Sequence, residues 1–334
     1  MELDLAFVWA GLIAFAVLAY VILDGFDLGI GVLFLFFKKE ASRDQLMNSV
    51  APVWDGNETW LVLGGGGLFA VFPLAYATLL PALYAPIIVM LLALVFRGVA
   101  FEFRWRTRRG KFLWDWAFSL GSTAAAFAQG VALGALVQGI QVENRAYAGG
   151  WWDWLTPFSL LTGAAVVVGY AYLGAAWLYM KTEDRIQQKA WRYARITGIA
   201  TLVLIGVVSL WTPFLDPAYL QRWFGWPTAL FTVIVPTAMM GCVLLVHRGL
   251  REGRDRWPFL GGLGVFILCY GGILISFYPH IVPPSVTIWE AAAPDESLAF
   301  LLVGAVVLLP IILAYTAYSY WVFRGKMDAS EGYH

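Results

Sequence analysis

Long apolar segments alternate with short polar connections along the whole chain. Nine runs approach or exceed the roughly 20 apolar residues that a helix needs to cross a bilayer core about 30 Å thick. They cover residues 5–37, 59–79, 82–104, 112–138, 157–180, 194–214, 227–247, 259–278 and 298–323. We therefore predict an all-α polytopic membrane protein with nine transmembrane helices, forming a single integral-membrane domain over residues 1–334.

Composition leads to the same class of protein. Of 334 residues, 60% are hydrophobic and 13% are charged, and the mean hydropathy is +0.72. Soluble domains average about 25% charged residues. The only short join is Leu80-Pro81, where the proline is expected to end one helix and start the next. An acidic N-terminus and a long first apolar run predict that no cleavable signal peptide is present.

Lysine and arginine are concentrated in alternate connections. Nineteen of the 22 basic residues fall in the first, third, fifth and seventh connections and in the C-terminal tail. The remaining connections contain only Arg145 and Arg222, while Arg97 lies inside the third predicted helix. Because cytoplasmic loops of membrane proteins carry an excess of Lys and Arg, we predict that the N-terminus is outside and the C-terminus is cytoplasmic.

Two carboxylates lie inside the first predicted helix. Asp24 and Asp27 are three residues apart and therefore share a helix face. If Phe37 marks the cytoplasmic boundary, Asp27 lies about 15 Å inside it. An ionisable residue at the centre of a membrane helix costs about 2.5–3.5 kcal/mol on insertion scales, so it is usually kept for a purpose. Both acids are candidates for a proton relay, and a buried structural pair is the alternative.

Arg97 is the basic residue expected to accompany these acids. It precedes Arg104 by seven residues, which places it about 10 Å from the cytoplasmic end of its helix, close to the depth of Asp27. A guanidinium does not lose its proton in proteins, so it needs a partner inside a membrane. We predict that Arg97 pairs with Asp24 or Asp27, with Asp27 as the favoured partner. The pair is either purely structural or part of the chemistry.

A second acidic pair lies at the cytoplasmic start of the second predicted helix. Asp55 is a candidate N-cap, because acids near a helix N-terminus are favourable. The N-cap role does not account as well for the flanking Trp54 and Trp60, which draw the segment towards the membrane. The sharper hypothesis is that Asp55 and Glu58 form a cytoplasmic point of proton uptake.

Residues that bind haem or metal are scarce in the predicted helices. None of His247, His280 and His334 falls at mid-membrane, and the methionines inside helices have no histidine partner. Cys242 and Cys269 lie within apolar segments and form no CxxC motif. We therefore expect this chain to bind no metal and no haem by itself. It carries no nucleotide-binding motif, and we expect no nucleic-acid partner.

Two long motifs resemble subunit II of cytochrome bd-type quinol oxidases. The motifs are VILDGFDLGIG at 21–31 and APVWDGNETW at 51–60, in that order. The stretches 96–102 and 310–318 are similar to that subunit too, so the resemblance covers the chain from end to end. The segment 96–104 looks most like the cyanide-insensitive branch of the family.

The resemblance implies a fold and a set of partners. The fold is nine helices in two four-helix bundles plus one extra helix, without haem. Subunit I would carry haems b558, b595 and d and the external quinol site. The complex would oxidise quinol and reduce dioxygen to water with cytoplasmic protons, in the inner membrane of a bacterium. A small single-helix subunit often accompanies the pair, and some members bind a quinone in subunit II.

The resemblance also suggests roles for individual residues. It makes Asp24, Asp27 and Asp55 candidates for a proton path, and the region of Trp60 a candidate for dioxygen access. A scaffold role without proton conduction is an alternative. A different class of protein, a secondary transporter or ion channel built on Asp24, Asp27 and Arg97, would also use buried charges, although the sequence shows no clear inverted repeat.

Overall fold

The protein's structure, a computed structural model, describes residues 4–327 except the side chain of Phe231, and it is almost entirely helical. Within those residues eight helices are long and apolar enough to cross a membrane, and a bent pair gives a ninth if it counts as one span. The helices are α1 Leu5–Phe34, α2 Glu40–Asn48, α3 Trp54–Val71, α4 Pro73–Ala82, α5 Tyr84–Arg106, α6 Lys111–Gln138, α7 Pro157–Lys181, α8 Asp184–Trp211, α9 Pro217–Phe224, α10 Ala229–Glu252, α11 Arg256–Phe277, α12 Ile288–Ala291 and α13 Asp295–Val322.

Two short antiparallel hairpins join some of these helices. Strands β1 Val142–Glu143 and β2 Ala146–Tyr147 follow α6, and β3 His280–Val282 and β4 Val286–Thr287 follow α11. A 3₁₀ turn at Thr212–Phe214 extends α8. All-α is therefore the correct class, since the strands are confined to connections.

The second predicted helix differs from the structure. The run 59–79 is not one helix: α3 and α4 meet at a bend of 120°. The backbone of Phe72 is not helical (φ −123°, ψ 64°), because a following proline disfavours the helical conformation at the residue before it. Pro73 then starts α4. The short join expected at Leu80-Pro81 is present but lies two residues later: Pro81 is still in the last turn of α4, and Leu83 (φ −113°, ψ 19°) separates α4 from α5.

Several helix boundaries also differ from the apolar runs. α8 begins at Asp184, ten residues before the predicted start at 194, because a polar but helix-forming segment continues it. α1 ends at Phe34 instead of residue 37. The first connection contains α2, a polar helix that apolar runs do not predict. Hydrophobic periodicity thus located the spans but not their polar extensions.

α1 is the central helix, packed against α3, α6 and α7. The closest approach is to α7, where Gly29 meets Gly174: a Cβ added at Gly29 would lie 1.7 Å from the carbonyl oxygen of Tyr170. Only glycine allows two helix backbones to approach so closely. The spans α1, α3, α5 and α6 pack together, α7 packs on α8 and α11, and α10 packs on α11. α13 lies against α1 and α3.

Ion pairs gather the basic ends of the helices at one end of the molecule. Asp115 in the first turns of α6 accepts hydrogen bonds from Arg104 Nε at 2.6 Å and from Arg43 Nη1 at 2.7 Å. Arg104 is completely buried and also contacts Asp44 at 2.7 Å. The first and third connections, both basic, therefore meet at the same end. The α3–α4 bend lies at the opposite end, where the Ala293 amide donates to the Val71 carbonyl.

Candidate functional site

Three helices bring charged side chains together inside the protein. Arg97 of α5 lies between Asp24 of α1 and Glu58 of α3. Its Nη2 atom is 2.9 Å from Asp24 Oδ1, and its Nη1 atom is 3.1 Å from Glu58 Oε2. The side chains of Arg97 and Asp24 are 0% exposed, whereas that of Glu58 is 27% exposed. One guanidinium thus joins a carboxylate that reaches the surface to one that is fully enclosed.

Two aromatic rings fix the position of this guanidinium. Trp54 and Phe101 stack with their ring centroids 4.5 Å apart and their planes 1° from parallel. The Arg97 Cζ atom lies 5.8 Å from the Trp54 ring centroid and 6.0 Å from that of Phe101. Aromatic faces attract cations at this range. Trp54, expected to draw α3 towards the membrane, therefore also contributes to holding Arg97.

Asp27 is not the partner of Arg97, so the favoured prediction of an Arg97–Asp27 ion pair is wrong. The weaker expectation, that Arg97 pairs with one of the two acids, is met by Asp24. Asp27 Oδ2 instead accepts a hydrogen bond of 2.7 Å from Asn57 Nδ2. Two residues three apart on a helix are offset by about 60° around the axis and about 4.5 Å along it. This offset lets Asp24 meet α5 while Asp27 meets α3.

Asn57 and Tyr320 belong to the site but were not predicted from the sequence. The hydroxyl of Tyr320, near the end of α13, donates to Asn57 Oδ1 at 2.9 Å. Asn57 is almost completely buried and uses both ends of its amide. A buried asparagine between Asp55 and Glu58 was the available signal, since a polar residue enclosed in a membrane helix needs partners.

A second group of polar side chains continues along α1. Tyr20 lies one turn before Asp24 on the same helix face. Its hydroxyl accepts a 2.7 Å hydrogen bond from Gln129 Nε2 of α6. Tyr170 of α7 donates to Gln129 Oε1 at 2.9 Å. Polar atoms from α1, α6 and α7 therefore extend the charged cluster further into the protein.

The other two candidates, Asp55 and Trp60, differ in their exposure to solvent. Asp55 is exposed in the first turn of α3 and is not its N-cap, because the residue before the helix is Val53 and no side chain caps it. Trp60 is buried and packs edge-on against Phe15, with ring centroids 5.7 Å apart. It forms a small cluster with Ala16, Ala19 and Tyr20 of α1.

Several enclosed polar atoms have no hydrogen-bond partner among residues 4–327. They include both carboxylate oxygens of Asp24, Oδ1 of Asp27, and Nε and Nη2 of Arg97. The Asp24–Arg97 contact is therefore close in distance but not an aligned hydrogen bond. Buried polar groups in proteins are satisfied by protein atoms or by ordered water. A cluster of this kind has the free donor and acceptor capacity that proton exchange needs.

The positions of the histidines bear on whether the described residues could hold a haem or a metal ion. His247 is exposed at the end of α10, and His280 lies in β3; His334 is outside the described residues. Across 4–327 no group of three or more His, Cys, Asp or Glu side chains could hold a metal ion. A haem inside a helix bundle takes axial ligands such as His or Met from within the membrane. His247 and His280 do not fit that arrangement.

Comparison with known proteins gives a consistent result. Residues 5–323 match the family described as cytochrome bd terminal oxidase subunit II. The chain is 31% identical to the cytochrome bd ubiquinol oxidase subunit 2 of Bacillus subtilis, covering 97% of each chain. It is 29% identical to the cytochrome bd-I ubiquinol oxidase subunit 2 of Escherichia coli K12, covering 98% of this chain and 96% of the relative.

A solved structure, that of bd oxidase from Geobacillus thermodenitrificans, has the same fold. It superposes with a TM-score of 0.71 at 18% sequence identity, covering 96% of this chain and 99% of the other. The match of the family over almost the whole chain decides the assignment. The chain belongs to the cytochrome bd terminal oxidase subunit II family and is part of a quinol oxidase complex.

Proposed function

We propose that this chain is the haem-free subunit of its oxidase and delivers cytoplasmic protons to a haem-bearing partner, subunit I. Haems b558, b595 and d would be held by that partner, where dioxygen is reduced to water. The positions of His247, exposed on α10 near its basic end, and of His280, in β3, support this division. A small single-helix subunit and the lipid bilayer complete the expected surroundings.

The observation that carries the proposal is the contact sequence Glu58–Arg97–Asp24. Glu58 reaches the surface, while Asp24 does not. The cluster also contains Asp27, so that one fixed positive charge faces three carboxyl groups. Such a cluster can hold a variable number of protons, because one guanidinium does not balance three carboxylates in surroundings of low polarity.

The distribution of basic residues gives the direction of delivery. α3 begins at Trp54, at the end of the molecule where Arg43 and Arg104 meet Asp115. Under the positive-inside rule this end is cytoplasmic, with the N-terminus outside and the C-terminus inside. Protons consumed in dioxygen reduction would then come from the cytoplasm. If quinol releases its protons outside, the complex builds a proton gradient without a pump.

The remaining candidates take secondary roles in this proposal. Asp55, exposed one turn before Glu58, collects protons at the surface. Asp27 binds a proton within the cluster, and Asn57, itself held by Tyr320, keeps the Asp27 carboxyl in place. Trp60, packed among apolar residues of α1, is the candidate for dioxygen access.

The test is the substitution Glu58→Gln in the intact complex. It keeps the size and hydrogen-bonding ability of the side chain but removes its proton-binding carboxylate. Oxygen consumption should fall by about 10²-fold, the lower end of what a positioned proton-transfer group contributes, while the haem spectrum stays normal. Glu102→Gln is the matched control, because Glu102 is an exposed carboxylate of α5 at the same end.

The outcome separates proton delivery from a scaffold role. Normal turnover of the Glu58→Gln complex, with normal haem content, would leave this chain as a scaffold. Asp55→Asn tests the surface group in the same assay and should give a smaller loss, because Asp55 makes no ion pair within residues 4–327.

A further inference from the structure

The first turns of α8 extend beyond the apolar part of the helix. α8 contains 28 residues, Asp184–Trp211, and is therefore about 42 Å long. A bilayer hydrocarbon core is only about 30 Å thick. The apolar sequence begins near residue 194, so the preceding segment lies at the depth of the lipid headgroups. This segment belongs to the same basic end of the molecule as Phe36 and the first connection, because Lys189 Nζ donates to the Phe36 carbonyl at 2.6 Å.

Three cations of this segment share one face of the helix. Arg185, Lys189 and Arg192 are spaced by four and three residues, the spacing that aligns side chains along a helix. Together with Tyr193 and Ile196 they line an open surface cavity of about 600 Å³. Both arginines are exposed. The cavity is therefore wide enough for a phosphate group and is lined on one side by positive charge.

These cations are not neutralised by the protein. Among residues 4–327 neither arginine nor Lys189 forms an ion pair with a carboxylate. Lys189 lies over the Phe37 ring at 4.6 Å and has Lys38 as a neighbouring positive charge. The nearest acids, Glu183 and Asp184, do not line this cavity but line an adjacent one, which shares Arg185 with it. Positive charges held together in this way favour an anionic ligand.

An apolar stripe continues the same face towards the membrane centre. Ile196, Ile199 and Val203 follow Arg192 at intervals of four, three and four residues and are 57%, 61% and 60% exposed. Exposed aliphatic side chains below a cluster of cations match a molecule with an anionic head and hydrocarbon tails. A free phosphate ion would use only the upper half of this surface.

We propose that this face of α8 binds an anionic phospholipid, with its phosphate among Arg185, Lys189 and Arg192 and an acyl chain along Ile196, Ile199 and Val203. Basic pockets at the membrane boundary recognise such headgroups, with each Lys or Arg near the surface contributing to the attraction. The ligand sits apart from the Asp24–Arg97–Glu58 cluster, so the proposal is independent of proton delivery.

The experiment uses the intact complex, purified in detergent, and phosphatidylglycerol as the probe. Native mass spectrometry measures how much phosphatidylglycerol stays bound over a titration, compared with phosphatidylcholine. The double variant R185Q/R192Q should bind phosphatidylglycerol about thirty-fold more weakly than the unmodified complex, from the contribution of two basic residues. R248Q/R251Q is the matched control: it removes the same charge from exposed positions of α10 outside the cavity.

Each result decides the proposal. A selective loss in R185Q/R192Q, with the control unchanged, supports it. Equal binding by R185Q/R192Q and the unmodified complex overturns it, as does an equal loss in both double variants, which would reflect net charge alone. Inorganic phosphate is titrated in parallel against phosphatidylglycerol binding; full competition at micromolar phosphate would assign the cavity to free phosphate and overturn the lipid proposal.

Discussion

Arg97 and Asp24 approach within 2.9 Å across the α5–α1 boundary, and both side chains are completely buried. Each charge is therefore the partner that keeps the other from being isolated in apolar surroundings. Breaking a buried ion pair by removing one member costs about 3–5 kcal/mol, much more than the loss of an exposed pair. The cluster is consequently as important for the assembly of the helices as for any proton that it carries.

Arg97→Leu should strongly reduce the amount of assembled complex, because it leaves Asp24 without a counter-charge. Arg97→Lys should give an intermediate yield, since an ammonium keeps the charge but does not form the forked contact to two carboxylates. The yield of haem-loaded complex after purification measures both. Arg106→Leu is the control, because that arginine is exposed and its one ion pair within residues 4–327, with Glu102, is long at 4.0 Å. Wild-type yield of the Arg97→Leu complex would contradict a stabilising ion pair.

Asn57→Leu should destabilise the complex more than Tyr320→Phe does. The leucine removes the donor of Asp27 and the acceptor of Tyr320 at once, whereas the phenylalanine removes a single hydroxyl. Each buried polar group left without a partner costs about 1–3 kcal/mol. The midpoint of thermal unfolding and the rate of oxygen consumption are the two measurements. Equal midpoints for both variants would show that the Asn57–Asp27 bond contributes nothing.

Gly29→Ala should separate α1 from α7 and lower the yield of folded subunit. The added Cβ would lie 1.7 Å from the Tyr170 carbonyl oxygen, a backbone atom that cannot turn aside. Gly65→Ala is the matched control, because a Cβ there meets nothing within 4 Å. In a helix that change should be neutral or stabilise by up to about 1 kcal/mol. Membrane yield on a gel and unfolding midpoint compare the two. Similar behaviour of both variants would argue against the close α1–α7 contact.

Glu40→Gln should affect stability only above acid pH. The Lys111 ammonium, 2.6 Å from Glu40 Oε1, holds the pKa of that carboxyl below its usual range. Because the folded-state pKa is the lower one, the pair stabilises the protein above the unfolded-state pKa, and this contribution is lost as the pH falls through the folded-state value. Since Glu40 is exposed, the effect is at most about 1 kcal/mol.

Unfolding midpoints of both proteins at a series of pH values check this prediction. The difference between them should be present near neutral pH, vanish in acid and shrink in high salt. A difference that persists in acid would mean that the glutamine acts through something other than charge.

The sequence was sufficient for the class of fold but not for the pairing at its centre. The depth of Arg97 correctly indicated a buried acid as its partner. Which acid it contacts depends on the rotation of α1 relative to α5, and Asp24 and Asp27 differ by only a fraction of a turn. Asn57 was not predicted because an uncharged amide can lie at a membrane surface without a partner, and its burial depends on how α3 packs against α1. The charge pattern shows Arg104 as one of the basic residues that indicate orientation, whereas its burial and its two ion pairs depend on contacts between helices.

Helix breaks show the same limit. A proline marks a position where a helix can end, but its neighbours decide whether it does. Pro81 stays within the last turn of α4, whereas Pro73 follows a residue with non-helical backbone angles and starts a helix in a new direction. After the turn, α4 packs against β2, β3 and α12, elements that all come much later in the chain.

The hydrogen bond from Tyr320 to Asn57 spans 263 residues of sequence. A ribosome releases the N-terminal helices first, and domains generally fold in that order. Asp27 and Asn57 are therefore made long before the tyrosine whose hydroxyl donates to Asn57. During biogenesis the acidic interior stays unfinished until α13 is inserted beside α1 and α3. Insertion of α13 thus closes the buried cluster, which ties its maturation to the translation of a helix far along the chain from α1 and α3.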